Sequence, residues 1–307
     1  MDKLVHGTAA DGTVRLIAAV TTDTVTEAIR RHKTAPTAAA ALGRMLTGAA
    51  LLGASLKEFD RLTVRIDADG PVGGIIVEAN NTGEVRGYVR NPEAERPPTP
   101  DGKFDVSGIV GKGMFYVMRE SGFEMGLHRE PYIGSVPITS GEIAEDFAFY
   151  LAKSEQIPSA VLLGVLLQNS EPFVTAAGGV MIQMMPGVND HIVTMIEDTV
   201  ARAPHLTSVI QDGATPEDLL QLTLGVIDFE ILDERSVAFK CTCSLERSRS
   251  MIAALGRDEV MSMLNEDKGA VMTCGFCNET HRLDENDLKS ILNSGVSSPH
   301  VSKGNPP

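Results

Sequence analysis

Two short stretches near the end of the chain, FKCTCSLER (residues 239–247) and MTCGFCNETHRLDENDL (residues 272–288), hold all four cysteines of this 307-residue sequence. They form a CxC pair, Cys241-Thr242-Cys243, and a CxxC pair, Cys274-Gly275-Phe276-Cys277, with 30 residues between the pairs. Two thiol pairs carried on two short turns can approach one tetrahedral ion, and four sulfurs are a set that zinc accepts. Gly275 suits the second turn if the chain there needs a positive φ. The spacing differs from a zinc ribbon, whose first pair is CxxC and whose gap is shorter.

Other readings of the same residues stay open at this level. The four thiols could be buried and inert. A thioredoxin-like CxxC would need a helix after it, whereas Asn278-Glu279-Thr280 reads as a polar turn. His281, spaced CxxCxxxH, could replace one cysteine as a ligand. Ser244 to Leu255, stopped by Gly256, and Asp258 to Leu264 read as helices between the pairs. Cys243 is then expected at a helix N-terminus with Lys240, Arg247 and Arg249 nearby in sequence, and both influences favour thiolate over thiol. A thiolate binds zinc and also reacts with peroxide or hypochlorous acid.

Just before the cysteines, residues 185–240 carry 3 basic and 10 acidic groups and are expected to form short helical pieces, such as His191 to Arg202 and Pro216 to Leu224. Such charge density in a segment broken by Pro and Gly predicts marginal packing. Met181, Met184, Met185 and Met195 lie around its start, where thioethers suit either a partner-accepting surface or plain core filling. After the cysteines, residues 296–307 (VSSPHVSKGNPP) are expected to be a disordered tail.

Residues 1–184 read as mixed α and β. Strands are expected at Thr13 to Thr22, Leu62 to Asp67, Ile75 to Ala79, Glu84 to Val89, Met114 to Arg119, Ala160 to Leu167 and Val174 to Met184. Turns are expected at Asn80 to Gly83 and Asn169 to Pro172, and an exposed loop at Asn91 to Gly102, which contains four prolines. Helices are expected at Val25 to Arg31, Thr37 to Lys57 and Ile143 to Lys153. Glu155 and Gln156 have no His or Cys nearby in sequence, which points to turn stabilisation and not catalysis. The organisation is therefore an α+β core at 1–184, an acidic helical linker at 185–240, a small four-cysteine zinc domain at 241–295 and the tail.

A net charge of −14 repels phosphate backbones and anionic membranes, so neither nucleic acid nor membrane is an expected partner. The segment MDKLVHGTAADG lacks the apolar run of a secretory signal. Ala38 to Leu56, the most apolar stretch, is interrupted by Arg44, Thr47, Ser55 and three glycines, which suits a packed helix. A cytoplasmic location is expected. No P-loop, GxGxxG, nucleophile elbow or HExxH occurs, so neither nucleotide nor enzyme chemistry is expected.

The chain resembles the 33-kilodalton redox-regulated heat-shock chaperones. The match is carried by PTAAAALGRMLTGAALLGASLK (36–57), RGYVR (86–90), YLAKSEQIPSAVLLGV (150–165) and GGVMIQMMPG (178–187), together with the two cysteine stretches. The resemblance implies an ATP-independent holdase, quiescent when reduced and zinc-bound, with one Zn2+ per monomer. Oxidation then releases zinc, unfolds the C-terminal region and exposes surface that captures unfolding proteins. It implies that Cys241, Cys243, Cys274 and Cys277 are the zinc ligands and redox switch, with disulfides Cys241–Cys243 and Cys274–Cys277. A homodimer in the oxidised state is a further implication. His281 and Leu283 stand where the family usually has aromatic residues.

Overall fold

The computed structural model describes residues 1–57, 60–122, 130–170 and 173–293. It divides into two compact units, Met1–Lys240 and Cys241–Pro307. The expected tail at 296–307 lies outside the described residues, as do Glu171 and Pro172 of the expected turn.

The first unit runs β1 (Lys3–Ala9), β2 (Val14–Val20), α1 (Thr22–His32), α2 (Pro36–Gly53), β3 (Arg61–Ala68), β4 (Ile75–Asn80) and β5 (Glu84–Val89). It continues through α3 (Val106–Val110), β6 (Gly113–Glu120), β7 (Tyr132–Pro137), α4 (Ala144–Lys153), β8 (Ser159–Leu167) and β9 (Val174–Met184). Three helices follow, α5 (Asp190–Arg202), α6 (Leu206–Gln211) and α7 (Pro216–Leu224), then β10 (Phe229–Ser236) and β11 (Ala238–Phe239). The strands form two sheets, ordered β10-β1-β2-β9-β8 and β11-β5-β4-β3-β6-β7. This is the α+β class expected from the sequence.

Helix α2 lies between the two sheets, packed on β2, β8 and β9 on one side and on β3, β4 and β5 on the other. Its composition explains the position. Nearly every residue from Thr37 to Gly53 is buried except Arg44, and small side chains let both sheets close in. A Cβ on Gly43 would sit 2.7 Å from Val25 and Val165, and one on Gly48 would sit 2.4 Å from the Phe147 ring. Pro36 starts the helix, where its missing N–H costs nothing. No helix among the described residues is long and apolar enough to cross a membrane.

The expected hairpin turn at Asn80 to Gly83 is present. The Asn80 side-chain oxygen accepts from Thr82 N, Thr82 Oγ1 and Glu84 N at 3.0, 2.7 and 3.1 Å, while Gly83 takes a φ of 83°. Glu155 accepts a 2.5 Å hydrogen bond from the Tyr150 hydroxyl and pairs with Arg119 at 3.1 Å. Gln156 takes a left-handed φ of 58°, so this SEQ turn ties α4 to β6 structurally.

Helices α5, α6 and α7 cover the outer face of the first sheet. Ile196, Leu206, Ile210, Leu219, Leu220 and Leu224 share one core with Val5, Leu16, Ala18, Val180 and Ile182. Met184 and Met195 belong to this layer, whereas Met181 is fully buried in the core beneath the other face. The expectation of helical pieces throughout 188–240 holds only as far as Leu224. Residues 229–236 form an edge strand that pairs antiparallel with β1, and their many charges are the solvent side of an edge. Lys3 clips this arrangement, reaching Glu217 of α7 and Glu234 of β10 at 2.6 Å each.

Candidate metal centre

The second unit contains α8 (Leu245–Ala254), α9 (Arg257–Glu266), β12 (Ala270–Thr273), β13 (Thr280–Leu283) and α10 (Glu285–Asn293). Its buried core consists of Ile252, Val260, Leu283, Leu288, Ile291 and Leu292. Among the described residues these six aliphatic side chains, with Ala253, Met261, Met263, Leu264, Ala270 and Met272 half-buried against them, are a small core.

Cys241 and Cys243 lie in the segment that enters α8. Ser244 caps that helix by accepting from Arg247 N at 3.1 Å. Arg247 reaches back to Thr242, donating to its carbonyl at 2.9 Å and to its hydroxyl at 2.7 Å, which fixes the CxC turn. Cys274 and Cys277 lie in the β12–β13 turn, closed by Cys274 N donating to Glu279 O at 2.9 Å and Asn278 N to Cys274 O at 2.8 Å. The left-handed position in this turn is Asn278, at φ 58°, and not Gly275 as the sequence suggested. Asparagine tolerates that conformation because its short polar side chain can bond locally.

These two turns bring all four sulfurs within 4.8 Å of one another. Cys241 and Cys274 Sγ are 3.7 Å apart, and Cys243 and Cys277 Sγ are 3.4 Å apart. A tetrahedral zinc with Zn–S bonds of about 2.3 Å requires sulfur–sulfur edges of roughly 3.8 Å. The four sulfurs lie close enough together for one ion to sit among them. Four cysteines clustered in this way can hold a metal ion.

Electrostatics reinforces that reading and corrects one expectation. Burial, together with the neighbouring thiols, pushes the Cys243 thiol well above its ordinary range, and burial likewise pushes Cys277 up to about 11. The thiolate at Cys243 expected from the nearby cations is not favoured in the metal-free cluster, because burial outweighs them; Arg247 bonds Thr242 and Arg249 pairs with Asp287. Four crowded sulfurs cannot all carry charge without a cation among them. A dication reverses this balance and makes them thiolate ligands.

His281 does not join the sulfur cluster. It sits on β13 opposite Met272, half-buried, and its Nε2 is covered with no hydrogen-bond partner among the described residues. Leu283 is 3% exposed and belongs to the unit's core. Sequence reading placed a helix start at Ser244 and a cation at Arg247 but missed the cap and the Thr242 contact they make, and it missed the reciprocal Asp284–Asp287 cap at the start of α10. A Ser or Asp immediately before α8 and α10 carried the signal for these caps.

Comparison with known proteins agrees with this architecture. A family model described as Hsp33 protein matches residues 2–284. A 33 kDa chaperonin of Desulforamulus reducens is 46% identical over 291 residues, covering 95% of this chain and 97% of that protein. One from Enterococcus faecalis is 43% identical over 296 residues, covering 96% and 97%. The crystal structure of the 33 kDa chaperonin (heat shock protein 33 homolog) of Thermotoga maritima superposes with a TM-score of 0.87 at 33% identity, covering 95% of this chain and 98% of that one. On sequence, fold and cysteine arrangement together, the chain belongs to the Hsp33 family of chaperones.

Proposed function

We propose that this protein is a redox-regulated, ATP-independent holdase of the cytoplasm, without enzymatic activity, whose switch is a single Zn2+ held by Cys241, Cys243, Cys274 and Cys277. The observation that carries this reading is the four-sulfur cluster at the end of a unit with only a small core. The zinc closes the 30-residue span between the cysteine pairs. Its apparent binding free energy, about 10–16 kcal/mol in small zinc domains, is largely folding free energy.

Each oxidation would join two ligand thiolates in a disulfide and pass two electrons to a hydrogen peroxide, which takes up two protons from solvent and leaves as two waters; with its thiolates gone, a zinc held there would be released. The pairing we assign is Cys241–Cys243 and Cys274–Cys277. In the reduced cluster sulfurs also approach across the pairs, Cys241 to Cys274 at 3.7 Å and Cys243 to Cys277 at 3.4 Å. Disulfides across the pairs would keep the long span closed, whereas disulfides within each pair leave two tiny loops and constrain the unfolded chain far less. Only the second outcome opens the unit. The acidic segment 185–240 follows, uncovering the apolar face beneath α5–α7 for unfolding proteins, and oxidation is accompanied by homodimer formation.

The decisive experiment is light scattering from a thermally unfolding client, without nucleotide, in the presence of reduced zinc-loaded or peroxide-treated protein. Oxidised protein is expected to suppress scattering at near-stoichiometric ratios and reduced protein to leave it unchanged. Equal suppression by both forms removes the switch from the mechanism.

Metal uptake has its own signature. With Cys243 and Cys277 protonated at neutral pH in the metal-free cluster, zinc binding must expel protons. Adding zinc to reduced metal-free protein in weak buffer is expected to acidify the solution by at least two protons per chain, and apparent affinity is expected to rise with pH. Uptake without proton release would place the metal elsewhere.

A further inference from the structure

A cavity of about 420 Å³ opens between the end of α1, the start of α2 and the end of the β8–β9 hairpin, within the size range of small-molecule sites. Thr26, Ile29, Arg30 and Lys33 recur at helical spacing and line it as one stripe of α1. Pro36 and Ala39 line it from the first turn of α2. The cross-strand pair Leu167 and Val174 contributes from the hairpin, together with Phe173. The small side chains that let both sheets close on α2 leave this space beside Ala39.

The cavity is apolar at its floor and cationic at its rim. Ile29, Ala39 and Val174 are 7%, 2% and 2% exposed and belong to a small core with Val25, Val165 and Ala177. Arg30 and Lys33 are exposed, as is the Phe173 ring. Among the described residues no carboxylate lines the cavity. Glu27 pairs with both Arg30 and Arg31, at 2.8 and 2.6 Å, so one carboxylate faces two guanidinium groups and, with Lys33, the end of α1 keeps a net positive charge. Glu95, close to the start of α2, accepts from Thr37 N at 2.9 Å and is not among the lining residues. This is an unusual place in a chain of net charge −14. The lining residue Thr34 also has a covered hydroxyl with no hydrogen-bond partner among the described residues. Rotation about its χ1 between staggered wells exchanges hydroxyl and methyl, so a polar group bound beside it could supply the missing partner.

We infer that this cavity binds a single-chain fatty carboxylate, its tail over Ile29, Ala39, Leu167 and Val174 and its headgroup at Lys33 and Thr34. The order of the lining selects this class. An apolar floor takes an alkyl chain, a cationic rim without a lining carboxylate selects an anion over a cation, and the one mouth between two helices suits a ligand with a single polar end. The site is independent of the proposed redox switch and client capture, because it lies in the first unit and is occupied in the reduced protein.

The test is calorimetric titration of the reduced, zinc-loaded full chain with octanoate, decanoate and dodecanoate, each below its micelle concentration. One site per chain is expected, with affinity rising about fourfold per added methylene. Decanol and decyltrimethylammonium are expected to bind roughly tenfold more weakly than decanoate or worse. Lys33→Glu, at an exposed position, is expected to weaken decanoate by a similar factor with an unchanged circular dichroism spectrum. Thr26→Phe, which grows into the cavity from a half-buried helix position, is expected to abolish binding. A decanoate carrying a photoreactive diazirine at its tail reads the site without any substitution, and adducts are expected on α1, the first turn of α2 and residues 167–174. Absence of saturable binding, several equivalent sites per chain that both variants leave unchanged, equal affinity for the alcohol or the ammonium, or adducts confined to other segments would each overturn the site.

Discussion

Replacing Cys277 by serine is expected to reduce bound zinc from one per chain to near zero and to unfold residues 241–293, while 1–184 keeps its structure. Cys277 is the most buried of the four cysteines, at 2% exposure, and its sulfur lies 3.4 Å from that of Cys243. A serine hydroxyl stays protonated and cannot supply the fourth thiolate, so the remaining three sulfurs face one another without a complete shell. The consequence is large because little else holds the unit. The six-residue core must offset the backbone entropy of α8–α10 and the β12–β13 hairpin, about 1.5 kcal/mol per ordered residue, and small units rarely manage this without a staple. Loss of a contribution on the order of 10 kcal/mol leaves it unfolded. Elemental analysis and limited trypsin digestion check both halves of the prediction. Cleavage should occur within the exposed 247–289 region, and a resistant fragment should remain from the first unit. Full zinc retention in this variant and in the serine variants of Cys241, Cys243 and Cys274 alike would show that the cluster is not the metal site, whereas retention in Cys277→Ser alone would restore His281 as a ligand.

The centre was legible in the sequence because its chemistry is written locally: four cysteines in two close pairs need only two turns to meet. What the sequence could not give was the mutual arrangement of the sulfurs or the burial that raises Cys243 and Cys277, since both come from packing. The cations at Arg247 and Arg249 misled for the same reason: closeness in sequence does not reveal the burial that raises the Cys243 thiol, nor that Arg249 pairs with Asp287.

The strands with strong periodicity and turn signals, β2 to β6, β8 and β9, were readable, as were helices α1, α2 and α4. Among the longer strands of the first unit, three were not. In β1, His6 and Gly7 interrupt the apolar run, and the register on β10 shifts at that point. β7, YIGSVP, is an exposed edge with Gly and Pro. β10, FEILDERS, looks like part of an acidic helical linker because its charges face solvent on an edge strand. In each case tertiary pairing, and not local propensity, makes the strand. The β10 result also changes the meaning of the linker. Its last strand is tied through β1 into the sheet that its helices cover.

That coupling locates the second large effect. Oxidation of the proposed switch is expected to strip hydrogen-exchange protection from 241–293 and from α5, α6, α7 and β10, while β1–β9 and α2 keep theirs. The covering helices span 13, 6 and 9 residues, at or below the roughly 12–15 residues at which isolated helices become marginal, so their order depends on docking. Their segment carries seven more acidic than basic groups, a self-repulsion that docking must overcome. β10 has β1 as its sheet partner, with Lys3 bridging Glu217 and Glu234 to hold helix and strand together. By contrast α2, β2 and β9 are buried between layers and contain no cysteine, so oxidation has no chemical handle on them. Amides in the opened segments should exchange about a thousandfold faster, the equivalent of ~4 kcal/mol of local stability. Uniform loss across the chain would mean denaturation and not switching. Loss confined to 241–293, with α5–α7 still protected, would leave the apolar face of the first sheet covered and transfer client capture to the unfolded metal unit itself.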